Sequence, residues 1–131
     1  MEKPIDRVSE AYFNKMGQRF GTKTRERIHW ICKQVNGESV VDVGCSQGIT
    51  SILLGREGKR VIGIDLLDEA IQVANDYLSK EPESVKDNIS FMLGDVYNIN
   101  FNEKYDSIIL GEILEHASNP RSLLVKVNNW L

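Results

Sequence analysis

The sequence predicts an open, doubly wound α/β fold with a mostly parallel sheet. Three observations carry this expectation. Short β-branched runs alternate along the chain with segments of helical periodicity. The runs are apolar throughout, as strands covered by helices on both faces are. Each run closes on a glycine or an aspartate, and parallel strands need right-handed helical crossovers to join them.

Val8, Ala11, Tyr12 and Met16 fit one apolar helical face, and Gly17 and Gly21 then punctuate the chain. Ile28, Ile31, Cys32 and Val35 give a second helix, stopped by Asn36-Gly37. Ser39-Val40-Val41-Asp42-Val43 reads as a buried strand, and Gly44 to Gly48 as a turn. Ile49, Ile52 and Leu53 start a helix that ends near Gly55–Gly58. Arg60 to Asp65 is the second strand. Asp68 is the expected N-cap of a helix carrying Ala70, Val73, Ala74, Tyr77 and Leu78. Ile89 to Leu93 is the third strand, closed by Gly94-Asp95, and Tyr105 to Leu110 is the fourth. Asn119-Pro120 opens a last helix, with Leu123, Leu124, Val127 and Leu131 as its apolar face.

Composition bounds the class. The chain has 131 residues, 41% hydrophobic and 27% charged, which suits one globular domain and excludes disorder. No apolar run approaches the roughly 18–20 residues of a membrane span, and residues 1–10 lack the apolar core of a secretory signal. Cys32 and Cys45 form neither a CxxC pair nor a disulfide framework, so a reducing, cytoplasmic setting is expected. A net charge of −3 does not suggest a general polyanion binder, and no DNA partner is expected. Residues 1–36 nevertheless hold eight Lys/Arg against four Asp/Glu, so this segment could meet an anionic substrate; solvated helix faces explain the same charges.

In such folds ligands bind beyond the carboxyl ends of the strands. The first strand ends in Asp42-Val43-Gly44-Cys45-Ser46-Gln47-Gly48. Its glycines let backbone approach a ligand closely. It does not match G-x-G-x-x-G, because Ser46 stands where the second glycine belongs. Asp42 would repel a pyrophosphate and would suit a cationic ammonium. Asp65 ends the second strand at about the spacing, roughly 20 residues on, at which an acid accepts both ribose hydroxyls. Asp95 follows the third strand and would accept from an exocyclic amine, with Leu66 and Val96 placed to sandwich a flat base. Singly, each acid reads as a turn residue. Jointly, they describe a ligand with an amine, a ribose and an adenine and no phosphate, which is the description of S-adenosylmethionine.

The ordered series VVDVGCSQG, VIGIDL, LGDV and YDSIILGEILEH resembles the motifs of class I S-adenosylmethionine-dependent methyltransferases, from residue 38 to about 128. The resemblance implies a Rossmann-like fold. It implies that Asp42 and Gly44, in the loop with Cys45, Ser46 and Gly48, line the methionine end of the cofactor. It puts the ribose at Asp65, the adenine at Asp95 with Leu66 and Val96, and the methionine moiety and substrate mouth beside Glu112. Ser46 departs from the usual middle glycine.

Glu112, Glu115 and His116 stand at i, i+3 and i+4, so on a helical turn they share a face. Two carboxylates and an imidazole there suit a divalent metal ion that would lower the pKa of a substrate hydroxyl. The stretch resembles segments of quinone-biosynthesis O-methyltransferases and of small-RNA 3′-end 2′-O-methyltransferases. Both families complete the site with a later residue. Without metal, Glu115 and His116 are the candidate catalytic residues, with His116 orienting substrate or acting as general base. His29, beside Trp30, reads as a surface residue.

The expected division is an N-terminal helical segment over 1–37, as lid or core cover, and a cofactor-binding α/β domain over 38–131. That domain reads as truncated after about four strands, incomplete at its C-terminal end. The fourth strand would then be an exposed apolar edge, open to self-association. Core packing is the expected role of Tyr12, Phe13 and Phe20. The implied activity is methyl transfer from S-adenosylmethionine to an unidentified acceptor, such as a hydroxyl of a small molecule or an RNA end. The competing class is a non-catalytic nucleoside-binding or assembly module. A nicotinamide oxidoreductase is disfavoured by Asp42 and the glycine spacing.

Overall fold

In the computed structural model, which describes residues 8–111, 113 and 117–131, the chain forms one four-stranded parallel sheet with helices on both faces. The elements are α1 (Val8–Tyr12), α2 (Gln18–Gln34), β1 (Ser39–Val43), α3 (Ile49–Arg56), β2 (Arg60–Asp65), α4 (Asp68–Ser79), α5 (Glu83–Lys86), β3 (Ile89–Leu93), a 3₁₀ turn (Val96–Asn98), β4 (Ser107–Ile109) and α6 (Pro120–Asn128). The strand order is β3-β2-β1-β4. The chain winds outward from β1 to β3, then returns to the other side of β1. The point between β1 and β4 is therefore the topological switch, where the crevice of such sheets opens.

Period-2 alternation along β1 sorts the core into two layers. Val40 joins Ile28 and Cys32 of α2, Ile52 and Leu54 of α3, and Val61 of β2. Val41 and Val43 face the other way, onto Ile64 and the α6 residues Leu123 and Val127. Asp42 shares the Val40 face and so points under α3. Only the inner strands are covered on both sides. On the edge strand β3, Met92 and Leu93 are exposed, so the expectation of strands buried throughout holds for β1 and fails for β3.

Several boundaries differ from the sequence reading for local reasons. Gly21 does not punctuate but lies inside α2, where a Cβ would stand 2.8 Å from the Ala11 carbonyl oxygen; it lets α1 pack closely on α2. Met16 lies outside α1. Asp68 is the first residue of α4 rather than its cap, and its Oδ2 accepts from Gln72 Nε2 at 2.6 Å. β4 is shorter than expected because the Tyr105 amide donates to the Trp130 carbonyl at 2.7 Å, tying the approach to the end of α6. Trp130, not Leu124 or Leu131, fills the core beside α6, with its ring edge-on to Phe101. Asn119 caps α6 as its sequence suggests, accepting from the Ser122 amide at 3.1 Å.

The N-terminal aromatics divide. Tyr12 packs against the core, and its hydroxyl meets His29 Nε2 at 2.9 Å. Phe13 and Phe20 are 50% and 51% exposed, which overturns the core role expected for both. No described helix is long and apolar enough to cross a membrane.

Candidate functional site

The four strands deliver their carboxyl ends to one rim, and the loop after β1 is shaped by three left-handed residues: Gly44 (φ +74°), Ser46 (φ +52°) and Gly48 (φ +84°). Such angles cost a side-chain-bearing residue steric strain, so Ser46 is held there by its surroundings. The amides of Gly44 and Cys45 both donate to the Ile64 carbonyl, at 2.8 and 2.9 Å, which pins the loop to the end of β2. Gly48 is a close-packing glycine as well as a turn glycine. A Cβ there would lie 2.6 Å from Phe91 Cζ and 2.8 Å from Ala74 Cβ. Ile113, after β4, lies against Gly44 on the opposite side, so the β1 and β4 ends share one wall.

Asp65, at the end of β2, is oriented by two amides. Its Oδ2 accepts from Ser46 N–H at 2.9 Å and its Oδ1 from Leu67 N–H at 2.9 Å. Each carboxylate oxygen can accept more than one hydrogen bond, so both keep capacity for a diol. The exposed side chain of Leu66 lies beside it. At the end of β3, the Gly94 amide donates to the Asp65 carbonyl at 2.9 Å. Asp95 Oδ1 accepts from Tyr97 N–H at 3.0 Å, capping the 3₁₀ turn, and the residue stays half-buried. Val96 packs into the core below, while Tyr97 is exposed.

Asp42 is buried among apolar neighbours, with Ser51 Oγ donating to its Oδ2 at 2.9 Å. Burial pushes its carboxyl up from 3.8 to about 6; the Ser51 bond opposes this and nearby Asp65 adds to it. The folded state therefore keeps a proton that the unfolded chain has released between about pH 4 and pH 6. Across that window the Asp42 contribution to stability falls as pH rises, by about 3 kcal/mol in all. Asp42→Asn is expected to remove this slope and to raise Tm above pH 6, measured by thermal melts from pH 4 to pH 8. A mutant whose melting profile parallels the parent's would contradict the assignment. Burial, with Asp42 and Asp65 nearby, also pushes the Cys45 thiol far up, so it does not serve as a nucleophile at neutral pH.

The structure thus brings Asp42, Gly44, Cys45, Ser46, Gly48 and Asp65 around one loop and sets Leu66, Asp95 and Val96 at the adjoining strand ends. Glu112, Glu115 and His116, the expected catalytic and metal residues, lie outside the described residues. Among the described residues, no group of three His, Cys, Asp or Glu could hold a metal ion. Sequence reasoning missed four contributors. Phe91 reads only as a strand residue, and Ser51 only as part of a helix. Gln47 is buried, and its Oε1 accepts from the amide and hydroxyl of Ser9. Tyr97 borders Asp95 on a turn too short for periodicity to show.

The donor set fits an uncharged diol and an amine better than a phosphate: the rim carries carboxylates, and two loop amides are already committed to Ile64. Ser46 Oγ is buried and has no hydrogen-bond partner, the only such side-chain atom among the described residues.

A family model described as a methyltransferase domain matches residues 41–131. The ubiquinone biosynthesis O-methyltransferase of Erwinia tasmaniensis is 33% identical over 111 residues, covering 75% of this chain and 41% of that protein. Its counterpart in Thiobacillus denitrificans is 27% identical over 145 residues, covering 97% of this chain and 62% of that protein. The chain therefore spans about half the length of the curated relatives it matches. Among solved structures, the glycopeptide N-methyltransferase MtfA complexed with S-adenosyl-L-methionine superposes with a TM-score of 0.70 at 16% identity, over 81% of this chain and 45% of that one. Coclaurine N-methyltransferase bound to N-methylheliamine and S-adenosylhomocysteine gives 0.70 at 23% identity, over 82% and 32%. These likenesses show the Rossmann-like fold.

Proposed function

The chain belongs to the methyltransferase-domain family, and on that premise we propose that it forms the S-adenosylmethionine-binding part of a methyltransferase acting on a hydroxyl. The observation that carries the reading is Asp65, a carboxylate fixed by two amides at the end of β2 with acceptor capacity left for a ribose diol. Asp95 would accept from the adenine amine, with Leu66 against the base. The loop from Gly44 to Gly48 would hold the methionine end, and Ser46 Oγ is the unpaired group there.

The bound cofactor supplies a sulfonium-activated methyl group. The contribution of this chain is alignment: fixed carboxylates and a strained, pinned loop hold one reactant so that attack becomes effectively unimolecular. A hydroxyl acceptor also needs a place for its proton, and Glu115 and His116 are the residues the sequence offers for it. A divalent ion on Glu112, Glu115 and His116 belongs to the proposal on sequence spacing alone. The hydroxyl reading draws on the O-methyltransferase relatives; acceptor assays distinguish a hydroxyl on a small molecule from one on an RNA end. A cytoplasmic setting accords with two buried, unpaired thiols. Self-association would run along β4, whose outer side carries an open groove between Trp30, Val35 and Ile108.

Calorimetric titration with S-adenosylhomocysteine, with NAD as control, tests the reading. Heat from the first alone is expected. Binding of NAD alone would overturn it in favour of an oxidoreductase.

A further inference from the structure

We propose that a cleft on the outer side of α3 and α4 is a second ligand site, which takes an aromatic carboxylic acid of one or two rings. It lies apart from the strand ends assigned to the nucleoside and stands whether or not that reading holds.

The body of the ligand is read from the walls. Ile49, Ile52 and Leu53 recur along one face of α3 and form an aliphatic side. The rings of Tyr12, Phe13 and Tyr77 form an aromatic side. Tyr12 stands edge-on to Phe13 at 5.1 Å, and Phe13 leans on Tyr77 at 6.1 Å. Edge-to-face and offset rings of this kind favour a further flat ring beside them. The cleft holds about 250 Å³. That falls below the roughly 300–1,000 Å³ of sites for drug-sized ligands, so one or two rings fill it.

The head group is read from the far end. Arg56, Lys80 and Glu81 close the cleft there. Glu81 is committed to Arg56: its Oε1 accepts from Nε and its Oε2 from Nη2 at 3.1 Å. Lys80 has one acidic partner, Asp76, at 3.2 Å, and both of those side chains are about two-thirds exposed. Such a pair is weak, and an ammonium has three protons to donate. Lys80 Nζ also stands 6.0 Å from the centre of the Tyr77 ring, at the edge of the aromatic wall. Two cations against one engaged carboxylate suit an anion, and an apolar body beside them suits an acid.

The same charges separate the two sites. α3 and α4 run back from the strand carboxyl ends, so Arg56 and Lys80 sit toward the opposite end of the sheet. From Ile49 to Arg56 the helix covers about 10 Å. The nucleoside rim carries Asp65 and Asp95, which repel an acid.

The test is titration of the whole chain with 2-naphthoate, by calorimetry and by ¹⁵N spectra, with 2-naphthalenemethanol as the neutral counterpart. A saturable one-to-one isotherm is expected, with a Kd of roughly 0.1–1 mM for a ligand of this size. Amides of Leu53, Arg56 and Tyr77 should shift and those of Ser46 and Leu67 should not. The Kd should stay within about twofold when S-adenosylhomocysteine is added in excess. The acid should bind about fivefold more tightly than the alcohol, and this preference should shrink at high salt. Lys80→Gln should remove most of the preference and leave the affinity for the alcohol unchanged. Leu53→Trp should fill the cleft and abolish binding of both probes. If Leu53→Trp does not fold, as read from its melt, Phe13→Ala should weaken both probes instead. Absence of saturable binding to the folded parent chain overturns the site. So does displacement by S-adenosylhomocysteine, or shifts at Ser46 and Leu67. Equal affinity for acid and alcohol, with Lys80→Gln unchanged, overturns the assigned ligand class.

Discussion

Asp65→Ala is expected to lower the affinity for S-adenosylhomocysteine by a hundredfold or more while the chain still folds. The carboxylate would accept two hydroxyls of the ribose, and hydrogen bonds to a charged group contribute about 1.5–3 kcal/mol each. Two of them correspond to roughly two to four decades in Kd. The effect has a second source within the protein. Asp65 holds the Ser46 and Leu67 amides, so its removal also frees the loop that the ligand must meet. Asp65→Asn offers one acceptor oxygen in the same shape and should fall between parent and alanine. Calorimetry reads the affinity, and circular dichroism establishes that the variants are folded. An alanine variant binding within threefold of the parent would remove Asp65 from the site.

Gly48→Ala is the substitution expected to cost most stability. At φ +84° a Cβ is strained, by about 1–2 kcal/mol for a left-handed residue. The Cβ would also stand 2.6 Å from the Phe91 ring and 2.8 Å from Ala74 Cβ. Overpacking of that kind costs roughly a further 1–3 kcal/mol. A chain of this size should lose about 10 °C or more in Tm. Phe91→Leu in the same chain should return part of the loss, because the ring is the nearer obstacle; the clash with Ala74 and the backbone strain would remain. If Gly48→Ala melts within about 2–3 °C of the parent, the loop is not wedged as described.

These two positions also show how much of the molecule is legible in its sequence. Asp65 is legible because its meaning is carried by order along the chain: a strand, a glycine turn, a helix, then an acid at the next strand end. The same logic yields the four strands and their parallel pairing, since β-branched runs and helical periods depend on near neighbours. Gly48 is legible as a turn residue and not as a packing residue. Phe91 and Ala74, which make it indispensable, are distant in sequence and meet it only after β3 and α4 dock. Gln47 is opaque for the same reason, its partner being Ser9 on another element. Asp42 illustrates a third case. Its chemical type suggests an exposed charge facing an ammonium, yet the pleat of β1 turns it beneath α3 onto Ser51. Order along the chain places it near the rim; only the packing gives its burial and its raised pKa. Phe13 and Phe20 mislead in the other direction, because helical aromatics predict an apolar face without saying what covers it.

Titration of the ¹⁵N-labelled chain with S-adenosylhomocysteine asks whether the ends of β1, β2 and β3 together hold one adenosyl nucleoside, and three amides report the answer. Ser46 and Leu67 donate to Asp65, and Tyr97 donates to Asp95. All three resonances are expected to move along one binding curve, with Gly44 moving beside them. Shifts confined to the pocket lined by Tyr12, Phe13, Ile52 and Tyr77, with those three amides unmoved at saturation, would place the ligand elsewhere.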